Sequence, residues 1–261
     1  MSLLLVKILL SMALVGAATL VQRRYGHGAS GFLVGLPIAT APYLLLVAVQ
    51  HGSQFTIHSA QGVLQGQIAL VLFLIAYAHA PSTWSWWLTL SSATTLCLFV
   101  TILISQRLFP PLLTFGVLVL FWGVAVKRWP VTSGESAQVE QERWELPTRF
   151  LVTLTILVGL TQIAPHLGAA LAGGLATLPV ISIVLCGATH RRFGPNGPRQ
   201  FLRGLLISLP GSTSFSLTVA LLAPVINRYV ALALALALTL AVAGWQSRHL
   251  RLAKREKISR A

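Results

Sequence analysis

Pro37 and Pro179 each fall near the middle of a long apolar stretch, the first preceded by Gly31 and Gly35 and the second by Gly173 and Gly174. A proline inside a helix removes one backbone donor and displaces the carbonyl four residues earlier. In a membrane that freed polar backbone must be met by a neighbour, a water or a ligand. Thr40 and Ser182 follow the two prolines at the same three-residue distance and add a hydroxyl to each disturbed turn. The chemistry such a pattern supports is hydrogen bonding to a solute at mid-membrane depth. Gln61 and Arg203 lie at a matching distance further along each copy and extend the polar set. Lys7 and Arg149 sit near the starts of their helices, where snorkelling to the interface accounts for them as well as a role as entrance charges for anions does. A packing reading stands beside the site reading: Gly31 and Gly35 form a close-contact face, the prolines are kinks, and the hydroxyls bond their own helix.

What is missing narrows the chemistry further. The chain has no Asp, and its five acids are Glu135, Glu140, Glu142, Glu145 and Glu256, all outside the apolar stretches. No intramembrane carboxylate is therefore present to relay protons, hold a cation or coordinate Mg²⁺. His27, His51, His58, His79, His166 and His190 are scattered near helix ends without the paired spacing of metal ligands, and Cys97 and Cys186 each sit in an apolar run. The expectation is no metal, no cofactor, no catalytic constellation and no enzyme. Gln61 and Gln65 share a helix face with Gln67 nearby, a stripe that more often joins helices than binds a solute.

The elements that carry these residues must be membrane spans. Of 261 residues, 55% are hydrophobic and 9% charged, and mean hydropathy is +0.78; soluble domains carry about a quarter charged residues. The 19 Lys and Arg then serve topology rather than nucleic acid. At about 20 apolar residues per crossing, nine helices fit: 3–21, 29–50, 57–79, 84–105, 108–126, 148–165, 167–188, 201–221 and 225–245. Lys7 interrupts the first stretch, so it reads as a helix rather than a cleaved signal. Arg23, Arg24, Lys127, Arg128, Arg143, Arg191, Arg192, Arg199 and the basic tail fall on one side, with only Arg107 and Arg228 opposite. By the positive-inside rule the amino terminus is outside and the carboxyl terminus cytoplasmic. Trp84, Trp86 and Trp87 at one helix start, and Trp122, Trp129, Trp144 and Trp245 near other ends, suit an interfacial belt.

A shift of 142 residues superposes Gly26 on Gly168, Gly31 on Gly173, Pro37 on Pro179, Gly52 on Gly194 and Gly62 on Gly204 without a gap. Lys7 then falls on Arg149, Thr40 on Ser182 and Gln61 on Arg203. The resulting organisation is a first four-helix repeat (1–107), a connecting helix (108–126), a polar cytoplasmic linker (127–147), a second four-helix repeat (148–245) and a basic cytoplasmic tail (246–261). Five crossings separate equivalent helices, so the second copy is inverted relative to the first. The fold class expected is all-α: a polytopic membrane protein of two inverted repeats joined by a central helix.

The run Arg23-Arg24-Tyr25, then Gly31-Phe32-Leu33-Val34-Gly35-Leu36-Pro37 and Gly52, resembles the second-helix region of the small GlpM-type inner-membrane proteins. The resemblance covers the first repeat and more weakly the second. It implies an inner-membrane location and a tandem fusion of a unit that elsewhere occurs singly, and it brings no substrate. Small multidrug exporters are similar in plan, but they rely on an acid in the first helix, where this chain has Lys7. Inverted repeats give a site two equivalent ways of opening. The expected function is a permease for an anionic or neutral small molecule or an anionic lipid, and the rival is a scaffold or regulatory subunit working through helix packing. The partners expected are the lipid bilayer and the solute, with no nucleic acid; whether two chains pair as a homodimer stays open.

Overall fold

The computed structural model describes residues 20, 24–37, 40–80, 82–130 and 168–259, with side chains of 192, 193 and 247–259 left aside. The expected helices 3–21 and 148–165, with Lys7 and Arg149, and most of the polar linker lie outside these residues. Among the described residues every regular element is an α-helix. Five stretches of the described residues are long and apolar enough to cross a membrane: Thr40–His79, Trp86–Ile104, Ala169–Arg191, Asn196–Leu222 and Arg228–Gln246, with Pro111–Lys127 shorter.

The span expected over 29–50 is broken in two. Helix α1 (His27–Val34) stops, residues 35–37 turn, and helix α2 (Thr40–His79) begins beyond them. Pro37 supplies no N–H and bars helical geometry at Leu36, while Pro42 falls in the first turn of α2, where its missing donor costs little. At 1.5 Å per residue the 40 residues of α2 would run to about 60 Å, twice a bilayer core. Gly52 divides it, with φ 80° and ψ −172°. The loop expected between the second and third spans is thus a single non-helical residue.

The same construction recurs 142 residues on. Helix α5 (Ala169–Leu175) stops, residues 176–179 turn, helix α6 (Val180–Phe193) follows, and Gly194 (φ 70°, ψ −168°) separates it from helix α7 (Asn196–Leu222). The positive-φ residues among those described are Gly26, Gly52, Gly168 and Gly194, two pairs at that offset. Helices α3 (Trp86–Ile104) and α4 (Pro111–Lys127), with only Gln106-Arg107 and Pro110-Pro111 to part them in the sequence, which leaves their division open, are separate. Helix α8 (Arg228–Ser259) runs on through the basic segment expected to be a tail. Beyond Gly244 that segment holds neither glycine nor proline and is rich in Leu, Lys, Arg, Gln and Ala, all strong helix formers.

The halves interlock. Helix α1 packs along α7, and α5 packs along α2. Gly31 lies against the backbone of Phe201 and Leu205, and its equivalent Gly173 against Ser59 and Val63, themselves 142 positions before Phe201 and Leu205. Gly204 against Gly28 and Gly62 against Ala170 complete the reciprocal set. Polar ties follow suit: Gln65 Nε2 donates to the Ile104 carbonyl at 3.2 Å, and Gln246 Nε2 donates to the Ile207 carbonyl at 3.0 Å. Ile207 is the equivalent of Gln65 and Gln246 of Ile104, so one helix pair is joined twice, with donor and acceptor exchanged.

The apolar interior forms around α2 and α7. Leu64, Phe73, Leu74 and Tyr77 meet Leu202, Leu206 and Leu209 in one cluster, and Leu44 and Ala48 meet Phe215, Val219 and Ala231 in another. Helices α3, α4 and α8 present Phe99, Leu112, Leu120 and Leu240 outward, as lipid-facing helices do.

Helix α4, which has no equivalent among the described helices, docks on a defect in α7. Pro210 lies inside α7 and cannot bond the Leu206 carbonyl. The Trp122 indole N–H donates to that carbonyl at 2.8 Å. Trp122→Phe should leave the carbonyl unmet and lower stability by about 1–2 kcal/mol. Pro210→Ala supplies a helical donor instead, so thermal melts of the two single variants and the double variant should show strong non-additivity. Additive losses would mean that Trp122 acts through ring packing alone.

Candidate functional site

Each helix break carries a hydroxyl that its own turn cannot satisfy. In the second halves the helix restarts at the proline carbonyl, with Ala41 N–H donating to Pro37 O at 2.8 Å and Ile183 N–H donating to Pro179 O at 2.7 Å. The break's amides are met locally: Gly35 N bonds Gly31 O at 3.0 Å, and Ala176 N bonds Ala172 O at 3.0 Å. The side chains are another matter. A helical Ser or Thr ordinarily returns its hydroxyl to the carbonyl four residues back. Thr56, Thr101, Thr114 and Thr239 do so. For Thr40 and Ser182 the carbonyls four back belong to Leu36 and Leu178, inside the turns, where the helical path is lost.

Thr40 Oγ1 and Ser182 Oγ are accordingly buried and without a hydrogen-bond partner, at 7% and 0% exposure. An unmet buried hydroxyl costs about 1–3 kcal/mol. Thr89, Thr94 and Ser105 also hold unmet hydroxyls; Thr40 and Ser182 differ in occupying equivalent positions beside broken backbone. A second hydroxyl lies at each break. Gly35 faces Ser208 Oγ across the helix contact, and at the equivalent place Gly66 faces Thr177 Oγ1, glycine and hydroxyl having changed sides. Ser208 donates to Leu205 O at 2.9 Å and Thr177 to Gly174 O at 2.7 Å.

Of the residues singled out in the sequence, Pro37 and Pro179 stand in or at the turns, with Thr40 and Ser182 just beyond them. Gly31, Gly35 and Gly173 are buried in helix contacts, which matches the packing reading of those glycines. Gln61 is half-buried and Arg203 is exposed, whereas the two hydroxyls are buried. Gln65 joins helices, donating also to the Arg107 carbonyl at 2.9 Å. Gln67 binds across the α2 and α7 contact, donating to Ser212 Oγ at 3.1 Å and accepting from Thr213 Oγ1 at 2.9 Å.

Sequence reasoning missed a polar group near one end of the helices. The Tyr77 hydroxyl and His190 Nδ1 are 3.0 Å apart, both side chains buried, with the rings edge to face. Arg199 beside them donates from Nε to the Ala78 carbonyl at 2.9 Å and from Nη2 to the Ala80 carbonyl at 3.0 Å, capping the end of α2. The signal was within reach: at an offset of 142, Tyr77 superposes on Val219 and His190 on Ala48, polar on apolar in both cases.

No family model, curated protein or solved structure matches the chain.

Proposed function

We propose that the chain is a multi-pass inner-membrane permease for an anionic or neutral small molecule or an anionic lipid, working by alternating access. One observation carries this reading: equivalent hydroxyls, Thr40 and Ser182, are buried and unmet beside equivalent broken helices. Unmet polar groups at mid-span helix breaks are where solute sites form in carriers built from inverted repeats. The reading takes the chain as nine crossings in two inverted GlpM-like copies, with the amino terminus outside and the carboxyl terminus cytoplasmic. The reciprocal contacts of α1 with α7 and α5 with α2 support a duplication. Lys7 and Arg149 are proposed as entrance charges on opposite sides, with Gln61 and Arg203 along the paths. The absence of any Asp, and of Glu from the apolar stretches, sets the sign of the solute.

The test is solute flux in reconstituted vesicles, using a panel of small anions and neutral solutes with K⁺ and Na⁺ as controls. Anion or neutral flux should appear and cation flux should not. Thr40→Val and Ser182→Ala should each weaken apparent affinity by about 0.5–1.5 kcal/mol, and the double variant should lose less than the sum because both hydroxyls serve one site. Proton-driven cation exchange would overturn this reading.

The scaffold reading is favoured by a different observation, the seating of Gly31, Gly62, Gly173 and Gly204 directly on the backbone of the opposite copy. It requires helix packing only, and it predicts no flux of any solute.

A further inference from the structure

We infer that His190 and Tyr77 form a proton-binding switch at one end of the helices, and that the proton is the ion whose binding opens that end. The coupling to transport rests on the permease reading; the switch does not. Tyr77 comes from the last turn of α2 and His190 from the last turn of α6. Their 3.0 Å contact has two complementary forms. With a neutral ring, the tyrosine O–H donates to an unprotonated Nδ1. One added proton makes both ring nitrogens donors. Nδ1–H then donates to the tyrosine oxygen, and the tyrosine hydrogen must turn elsewhere. The Cys186 carbonyl lies at 3.5 Å from the same hydroxyl, a long contact that can shorten to receive it. One proton is taken up, no covalent bond other than N–H forms, and the hydroxyl keeps its own hydrogen.

The surroundings give the added charge a mechanical consequence. Helix α7 contributes Arg199, held on the Ala78 and Ala80 carbonyls. Helix α1 contributes His27, which flanks Gly197 together with Thr189. Helix α3 brings Trp86 and Leu90, both uncharged, against Gly187. Helix α2 adds His79, exposed and turned to the Ile75 and Arg128 carbonyls, and α6 itself adds Cys186 and exposed Arg191. Among the described residues around the pair there is no carboxylate. An imidazolium here adds a second positive charge beside Arg199, in a medium that screens poorly. Gly194, with φ 70°, joins α6 to α7 and is the pivot about which the two can part.

Among the described residues the equivalent place in the other copy has no such pair. The positions equivalent to Tyr77, Cys186 and His190 are Val219, Leu44 and Ala48, packed in one apolar cluster. A proton therefore acts on one end and not on the other. In a duplicated fold that asymmetry turns two equivalent openings into an ordered cycle.

The experiment uses the full chain in phospholipid nanodiscs with Cys97→Ala, so that buried Cys186 is the single thiol. The probe is 4,4′-dithiodipyridine, with rates normalised to a free thiol from about pH 8 to about pH 4, a range that extends below the one in which an unperturbed histidine titrates. The Cys186 rate should rise roughly tenfold on acidification, the factor for an opening favoured by about 1.4 kcal/mol. His190→Gln should hold it at the alkaline value. Tyr77→Phe should also abolish the rise, while ring-¹⁵N resonances of His190 still titrate. A wild-type rate that is flat with pH, or that rises equally in His190→Gln, overturns the switch. Ring-nitrogen spectra of the unsubstituted histidine decide the same question if a variant does not fold: His190 neutral throughout contradicts the proposal. Because no solute is present, a negative result leaves the permease reading to its own flux test.

Discussion

Gly31→Ala and Gly173→Ala should each remove most of the folded protein from the membrane, whereas Gly116→Ala and Gly123→Ala should leave its amount unchanged or slightly higher. A methyl at Gly31 would come within 2.7 Å of the Phe201 carbonyl carbon and 3.0 Å of the Leu205 nitrogen; at Gly173 it would meet the Ser59 carbonyl carbon and the Val63 nitrogen at 3.0 Å. All of these are backbone atoms of a packed helix, which cannot rotate aside as a side chain can. The helices must separate, and every contact along α1 and α7, or α5 and α2, weakens with them. Overpacking of this kind costs about 1–3 kcal/mol or more, and in a membrane close small-residue contact is itself the main source of helix association. Gly116 and Gly123 lie on α4 with nothing within 4 Å. There, alanine gains roughly 0.5–1 kcal/mol of helix propensity. Folded yield and melting temperature in detergent measure both sets. A Gly31→Ala protein that melts like the parent would remove the close-contact account of the interlock.

On the permease reading, Pro37→Ala and Pro179→Ala should abolish transport while the protein remains folded. Alanine at 37 offers an N–H to the Leu33 carbonyl, which now accepts from Leu36 at 3.3 Å. Alanine at 179 does the same for Leu175, whose carbonyl now accepts from Leu178 at 3.1 Å. Each half-helix can then continue through its break, and Thr40 or Ser182 regains a carbonyl four residues back. The hydroxyl is satisfied and no longer available. A mere kink would respond differently: stability would shift by about 1 kcal/mol, and activity would follow the folded amount. Flux per folded molecule, set against folded yield, separates the two. Parental flux in both proline variants would favour the scaffold.

The broken helices are legible in the sequence because their cause is local. Proline acts through its own backbone, so Pro37 and Pro179 mark where both interruptions fall, although each stretch reads as one span; Gly52 and Gly194 stand out in the sequence only as matching positions at the 142-residue offset. What escapes depends on contacts across the fold. The continuous run through Gly52 reads as two helices and a loop, since apolar stretches do not reveal whether a separation takes one residue or six. Trp122 has the position of an interfacial aromatic; only its approach to α7 shows that it meets the carbonyl freed by Pro210. His190 is one histidine among several near helix ends until Tyr77, more than a hundred positions away, is brought to its ring. Arg203, grouped with the site through its equivalence to Gln61, proves exposed, because an offset between copies fixes sequence position and not which neighbours cover it.

The most direct test of a shared, alternately opened site is the reach of water to the two hydroxyl positions. Thr40→Cys and Ser182→Cys are placed singly in a chain with Cys97→Ala and Cys186→Ala, reconstituted in one orientation. A membrane-impermeant thiol reagent is applied from one face and then from the other. The account predicts that each position is labelled from both faces and that a transported solute protects both together. Labelling of neither position from any face would contradict it, leaving Thr40 and Ser182 as unmet hydroxyls in a dry packing contact.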